Sequence, residues 1–220
     1  APEAASGAAP EAAPEASPAA PCGKRKEGVL SWDEYFMSVA FLTAMRSKDP
    51  STQVGACIVN ADQRIVGVGY NGFPRGISDE QLPWEKSSPE GFMGTKYPYV
   101  CHAELNAVLN KNVESCKGCR LYSTLFPCCE CAKVIIQSGI RCVIYASDKN
   151  RDQDTFKASK RMFKLAGVQM VYYLPEMEEL RIPLRYPGDD VEFPPGVPGG
   201  PALKRPRGLG AGPAPAAGFE

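Results

Sequence analysis

Arg120-Leu-Tyr-Ser-Thr-Leu-Phe-Pro-Cys-Cys-Glu-Cys-Ala-Lys-Val-Ile-Ile-Gln-Ser-Gly-Ile-Arg-Cys-Val-Ile-Tyr-Ala-Ser147 is the stretch on which the fold turns. Arg120–Leu125 reads as a strand, Cys128–Ser138 as a helix and Arg141–Ser147 as a second strand. Gly139 stands just past the helix, where the left-handed conformation it accepts ends the last turn. A strand, a helix and a strand in succession make a crossover between parallel neighbours. Downstream the alternation continues: Asp154–Ala166 reads as a helix closed by Gly167, and Val168–Leu174 as a last strand. Upstream, His102–Lys111 reads as another helix, while Val54–Asn60 and Arg64–Tyr70 are β-rich runs about a short polar turn, an antiparallel hairpin. Ser31-Trp-Asp-Glu34 has the capping-box spacing, and Trp32, Tyr35, Phe36, Val39 and Ala40 follow at helical spacing. A helix is predicted from about 32 to 47, stopped by Asp49-Pro50. Five strands with crossover helices in the second half predict an α/β fold, a three-layer α/β/α sandwich around a five-stranded mixed sheet. Residues 71–100 carry four Gly and four Pro and no clear periodicity. A stretch of that kind inside a compact domain is usually functional.

The chain has 220 residues, and 25 Lys+Arg balance 25 Asp+Glu. Residues 1–22 contain ten Ala and five Pro, and residues 186–220 contain eight Pro and eight Gly. Neither composition buries enough apolar surface to offset the entropy of ordering. The expected organisation is therefore a disordered Ala/Pro-rich tail over 1–28, one domain over 29–185, and a disordered Pro/Gly-rich tail over 186–220. A balanced charge argues against binding a polynucleotide through its phosphates alone. No run approaches the ~18 apolar residues of a membrane span, and the N-terminal stretch lacks an apolar secretion core. A soluble, cytoplasmic protein is expected. Gly23-Lys-Arg-Lys26 and Lys204-Arg-Pro-Arg207 read either as nuclear-import patches or as solvating charge. Nine cysteines without a secretion signal are better read as metal ligands or small core residues than as disulfides.

The only histidine in the chain falls in His102-Ala-Glu104, and a cysteine pair falls in Pro127-Cys128-Cys129-Glu130-Cys131. Cys128 and Cys131 are three apart, so a helix places both thiols on one face. In a first turn, the helix N-terminus would also favour their thiolates. One imidazole and two thiolates are three zinc ligands that leave the fourth tetrahedral position open for a water. Glu104 lies about 200° around a helix from His102, so both reach one pocket only if that helix enters end-on. The pattern matches the known H-x-E…P-C-x-x-C signature of zinc-dependent nucleobase deaminases. That signature implies addition of water at C4 of a cytosine ring, with Glu104 carrying a proton to N3 and then to the departing ammonia. A different reading stays open. Cys116-Lys-Gly-Cys119 with Cys128-x-x-Cys131 has the spacing of a closed four-thiolate structural zinc site, which would make the protein an interaction module. The strand between the pairs and the unexplained His102 and Glu104 argue against it.

Over roughly residues 30–175 the chain resembles the deoxycytidylate (dCMP) deaminases of the vertebrate and phage type. The resemblance rests on Arg46-Ser-Lys-Asp-Pro50, Val54-Gly-Ala-Cys-Ile-Val-Asn60, Gly69-Tyr-Asn-Gly-Phe-Pro-Arg-Gly76, Lys96-Tyr-Pro-Tyr-Val-Cys-His-Ala-Glu104, Leu125-Phe-Pro-Cys128 and Ser147-Asp-Lys149. It implies a cytidine-deaminase-like fold and conversion of dCMP and water to dUMP and ammonia, supplying thymidylate synthesis. It also implies a homohexamer activated by dCTP with Mg2+ and inhibited by dTTP. Carried over, His102, Cys128 and Cys131 would bind Zn2+, Glu104 would shuttle protons, and the Ala103 backbone N–H would contact the base carbonyl. Asn71 is a substrate candidate and equally a turn residue, since Asn-Gly is a strong turn pair. Arg46, Ser47 and Lys149 are candidates for the 5′-phosphate, and Tyr70, Gly72 and Arg75 for the regulatory nucleotide. The chain departs from the pattern at Cys129, where Asn is expected, and at Asn150, where an aromatic is expected. Residues 1–22 and those after about Pro183 do not resemble the family. Two rival functions follow from the same residues: a deaminase of nucleosides or of a base within a polynucleotide, and the non-catalytic zinc module.

Overall fold

The computed structural model describes residues 26–184. The chain divides into two units, residues 1–30 and 31–220, and every helix and strand described belongs to the second. Of the expected tails, residues 1–25 and 186–220 lie outside the described residues, and 26–28 form no helix or strand.

The second unit runs α1 (Trp32–Ala44), β1 (Gly55–Val59), β2 (Ile65–Tyr70), α2 (Ala103–Leu109), β3 (Arg120–Ser123), α3 (Cys129–Gln137), β4 (Cys142–Tyr145), α4 (Asp154–Leu165) and β5 (Gln169–Tyr172). Each sequence-predicted element is present and somewhat shorter than its expected span. The sheet order is β2-β1-β3-β4-β5. β1 pairs antiparallel with both β2 and β3, whereas β3–β4 and β4–β5 are parallel. Thus the sheet is mixed, with the crossovers in its second half. Gly139 and Gly167 follow α3 and α4 at φ 81° and 69°, the left-handed stops expected of them.

The strand period of two sends β1 side chains to both faces. Cys57 and Val59 pack with Phe36, Met37 and Ala40 of α1, along with Tyr122 and Ile144. Ala56 and Ile58 join Ala103 and Ala107 of α2, Ile135 of α3 and Phe163 of α4 on the opposite face. One helix on one face and three on the other complete the three layers. The Ser31 hydroxyl accepts from the Glu34 N–H and donates to the Glu34 carboxylate, both at 3.3 Å, which starts α1 where the capping pattern placed it.

Helices α1 and α2 approach the sheet closely because the strands present glycines to alanines. A Cβ at Gly55 would lie 2.0 Å from the Ala40 carbonyl oxygen, and one at Gly69 would lie 2.2 Å from Ala107 N and 2.3 Å from Ala103 O. Asn106 and Asn110 then reach from α2 to the Tyr70 and Val68 carbonyls of the edge strand, at 2.7 and 3.3 Å. Gly69→Ala therefore pushes α2 off β2. Overpacking against backbone costs about 1–3 kcal/mol, a fall in Tm of roughly 2–12 °C. Gly72→Ala, whose Cβ would meet only the Tyr70 ring at 4.0 Å, is the control that keeps the parent Tm in the same calorimetric scan.

Candidate active site

Two helix N-termini come together at one end of the sheet. His102 is the N-cap of α2 and Cys128 the N-cap of α3, both with extended backbone (φ −74°, ψ 159° and φ −72°, ψ 176°). Cys131 follows in the first turn of α3, as the three-residue spacing requires. The His102 Nδ1 lies 3.4 Å from each of the Cys128 and Cys131 sulfurs. Among the described residues these three form the one group of His, Cys, Asp or Glu whose ligand atoms all lie within 4.8 Å of one another. Zn–N and Zn–S bonds of about 2.0–2.1 and 2.3 Å at a tetrahedral angle separate N and S by ~3.6 Å, so the donor set and its spacing fit zinc.

Glu104, the second residue of α2, is 4 % exposed. Its carboxylate accepts from the Cys131 thiol at 3.4 Å (Oε2) and from the Ser123 hydroxyl at 3.5 Å (Oε1). Because α2 enters end-on with His102 just outside its first turn, both side chains reach one cavity, as the 200° argument demanded. Burial raises the Glu104 carboxyl above its usual range. The Cys131 thiol, then the His102 imidazole, hold Cys128 down at about 4 by hydrogen bonding, a thiolate at neutral pH. The bond to Cys128 in turn pushes His102 up to about 9, with the buried Lys96 ammonium opposing the rise. The thiolate and the imidazolium thus form a charge pair, and a bound cation would take the place of the imidazole proton.

The four-thiolate alternative is not formed. Gly118 N–H donates to Gly139 O and Arg141 N–H to Cys119 O, both at 2.9 Å. These bonds set the Cys116–Cys119 turn beside the C-terminal end of α3, about 13 Å of helix away from Cys128. Cys116 and Cys119 are core residues whose thiols burial raises. Cys57 is pushed up to about 12 for the same reason. All cysteines among the described residues are free thiols.

A cavity of about 900 Å3 opens over the cluster. Ala103, Asn71, Lys149, Cys129 and Asn150 line it. Asn71 is spent on the chain itself: Oδ1 accepts from Val54 N at 2.8 Å, and Nδ2 donates to Asp49 Oδ2 at 3.0 Å and Thr52 O at 3.1 Å. Ser47 is buried with its hydroxyl donating to Asn71 O at 2.8 Å. Arg46 is exposed and outside the cavity lining. Of the three phosphate candidates, only Lys149 faces the cavity, with Nζ 3.4 Å from the Thr52 hydroxyl. Tyr70, Gly72 and Arg75 sit apart from it, along the β2 edge where Arg75 donates to Asn110 at 3.1 Å. Sequence reading missed Asp49 and Lys96, a buried ion pair in the cavity wall at 2.5 Å. The partners stand 47 residues apart, and no local pattern announces them.

Residues 30–147 match the family described as the cytidine and deoxycytidylate deaminase zinc-binding region, and the chain belongs to that family. It is 55 % identical to the deoxycytidylate deaminase of Homo sapiens over 159 residues, 72 % of this chain and 89 % of that one. It is 53 % identical to the probable deoxycytidylate deaminase of Drosophila melanogaster over 163 residues, 72 % of this chain and 80 % of that one. Among solved structures it is similar to the dCMP deaminase of cyanophage S-TIM5 in complex with dCMP and dUMP. That match has a TM-score of 0.51 at 29 % identity and covers 64 % of this chain and 95 % of that one.

Replacing Cys131 with Ser removes a soft ligand while keeping the size of the side chain. Elemental analysis after dialysis is expected to find stoichiometric zinc in the parent and trace zinc in Cys131→Ser, whereas Cys119→Ser keeps its zinc.

Proposed function

We propose that this chain hydrolyses dCMP to dUMP and ammonia. The observation that carries the reading is Glu104, buried and non-ligating, with its carboxylate 3.4 Å from the Cys131 sulfur in the wall of a nucleotide-sized cavity. The similarity to deoxycytidylate deaminases over most of the chain supports the substrate.

His102, Cys128 and Cys131 would hold a zinc ion, which when bound would supply a water with its pKa lowered to about 7. Ala103 opens α2 and so keeps a backbone N–H free of intrahelical partners, placed to donate to the base carbonyl and fix the ring. Glu104 takes a proton from the attacking water and gives it to N3 as the C4–O bond forms. The same carboxyl then delivers the second proton to the amino nitrogen, the C4–N bond breaks and ammonia leaves. Burial keeps the Glu104 carboxyl competent to hold a proton between the two transfers. Lys86 and Lys149 in the cavity wall supply positive charge for a 5′-phosphate, which supports a nucleotide over a nucleoside.

The finer reading extends to regulation. The enzyme is a homohexamer, activated by dCTP with Mg2+ and inhibited by dTTP, with Tyr70, Gly72 and Arg75 at the regulatory nucleotide. The exposed apolar side chains of Trp32, Phe41, Leu42 and Met45 support subunit contacts. The working compartment is the cytoplasm. Among the described residues, no helix is long and apolar enough to cross a membrane.

Ultraviolet absorbance of purified protein with dCMP, with and without dCTP and Mg2+, tests the reaction, with cytidine as the control substrate. The cytosine band is expected to fall with dCMP and to persist with cytidine. Glu104→Gln is expected to lower kcat by roughly 10²–10⁴-fold while zinc content stays at the parent level. Turnover of neither substrate, or full activity in Glu104→Gln, overturns the assignment.

A further inference from the structure

We propose that the Asp49–Lys96 ion pair fastens residues 71–100 over the cavity, making Lys96 a positioning residue that sets substrate affinity and leaves the chemical step in place; this rests on the dCMP reading above. The loop supplies Lys86, Phe92, Lys96, Tyr97 and Val100 to the cavity wall, so it forms one side of the substrate's enclosure. Its internal order is slight: one short 3-10 turn, Gly91–Gly94, and an isolated bridge between Gly72 and Cys101 at its two ends. Between those ends its polar ties to the rest of the fold are mostly exposed, as with Lys48–Asp79 and Arg75–Asn110. Lys96 is different. Its side chain is 8 % exposed and that of Asp49 3 %, and Nζ donates to both carboxylate oxygens, at 2.7 and 2.5 Å.

Asp49 is itself held from several directions. Oδ1 also accepts from the Ser51 and Thr52 N–H groups at 2.8 and 3.2 Å, and Oδ2 from the Asn71 amide at 3.0 Å. The carboxylate thus joins the segment after α1, the end of β2 and the loop at a single buried node. From there Thr52 touches Lys149 at 3.4 Å, which brings in the loop after β4. Lys96 passes the restraint along its own segment, donating its N–H to Glu85 O and accepting from Tyr99 and Val100 N–H at 3.0–3.1 Å. Six residues later the chain reaches His102. A buried ion pair adds little net stability over apolar packing. The placement of this one, in the cavity wall and across three loops, is accounted for by the geometry it imposes.

The test compares zinc-loaded parent, Lys96→Met, Lys96→Arg and Asp49→Asn in dCMP turnover, with zinc content and Tm measured on the same preparations. Lys96→Met is expected to raise KM roughly ten- to hundredfold through loss of substrate positioning, with kcat within about threefold and zinc retained. Lys96→Arg, which keeps the charge and two donors, is expected to recover most of the affinity. Should Lys96→Met fail to fold, Asp49→Asn carries the same expectation, since it keeps Oδ1 as the acceptor for the Ser51 and Thr52 N–H groups while it removes the charge and turns the Oδ2 acceptor for Lys96 and the Asn71 amide into a donor. A lowered Tm with unchanged KM, or a loss of kcat that tracks loss of zinc, overturns the proposal. Absence of turnover in the parent removes the dCMP reading on which it rests, whereas parent turnover with unaltered variant KM counts against the ion pair alone.

Discussion

Two helix N-termini abutting at one end of the sheet are the constraint from which the rest of the site follows. Their N-cap positions, which Ser, Thr, Asp or Asn would ordinarily fill, hold His102 and Cys128, and neither side chain caps its helix. Each helix forgoes about 1 kcal/mol of capping by that choice. In exchange, two ligand side chains leave the helices from extended backbone and converge ahead of the first turns. The same end-on geometry lets Glu104, one turn-fraction further along, face the space that His102 faces. The positive ends of both helix dipoles lie where the Cys128 thiolate and the Glu104 carboxylate carry negative charge.

Such convergence needs both helices to be seated without play. Gly69 supplies that seating for α2, because a strand position without a Cβ lets helix backbone descend onto the sheet. The crossover through α3 then sets Cys128 and Cys131 against α2, since β3 and β4 are neighbours in the same parallel pair. The opposite wall of the cavity is of another kind. The segment after α1, the loop over 71–100 and the loop after β4 provide it, and buried polar contacts centred on Asp49 hold it where a strand ladder does not reach. Chemistry rests on regular elements and substrate enclosure on irregular ones.

That division explains what the sequence disclosed. Periodicity and punctuation located α1, the hairpin and the three helix–strand alternations because each is a local pattern: Ser31 before its helix, Gly139 and Gly167 after theirs. The zinc ligands were equally open to reading, since His102-x-Glu104 and Cys128-x-x-Cys131 encode their geometry within a single helical turn. The enclosure was not. Arg46 and Ser47 stood near the right segment, yet Arg46 faces solvent and the Ser47 hydroxyl is absorbed by Asn71 O. Asn71 proved to tie the end of β2 to residues 49–54 ahead of β1 by three side-chain hydrogen bonds, a role that its Asn-Gly turn signal does not express. Lys96 and Asp49 meet only after the chain has folded, and a charged pair so far apart in sequence looks like ordinary surface charge until burial is known.

The position of His102 gives the protein a built-in spectroscopic reporter. It is the only histidine in 220 residues, and its Nδ1 is turned to both cysteine sulfurs. A proton or nitrogen NMR spectrum of the imidazole region therefore holds one ring, free of overlap, at the metal-binding centre. Ring tautomer, protonation and ligation all change that single set of resonances. Occupancy of the centre can be followed in the parent sequence, without substitutions or a substrate.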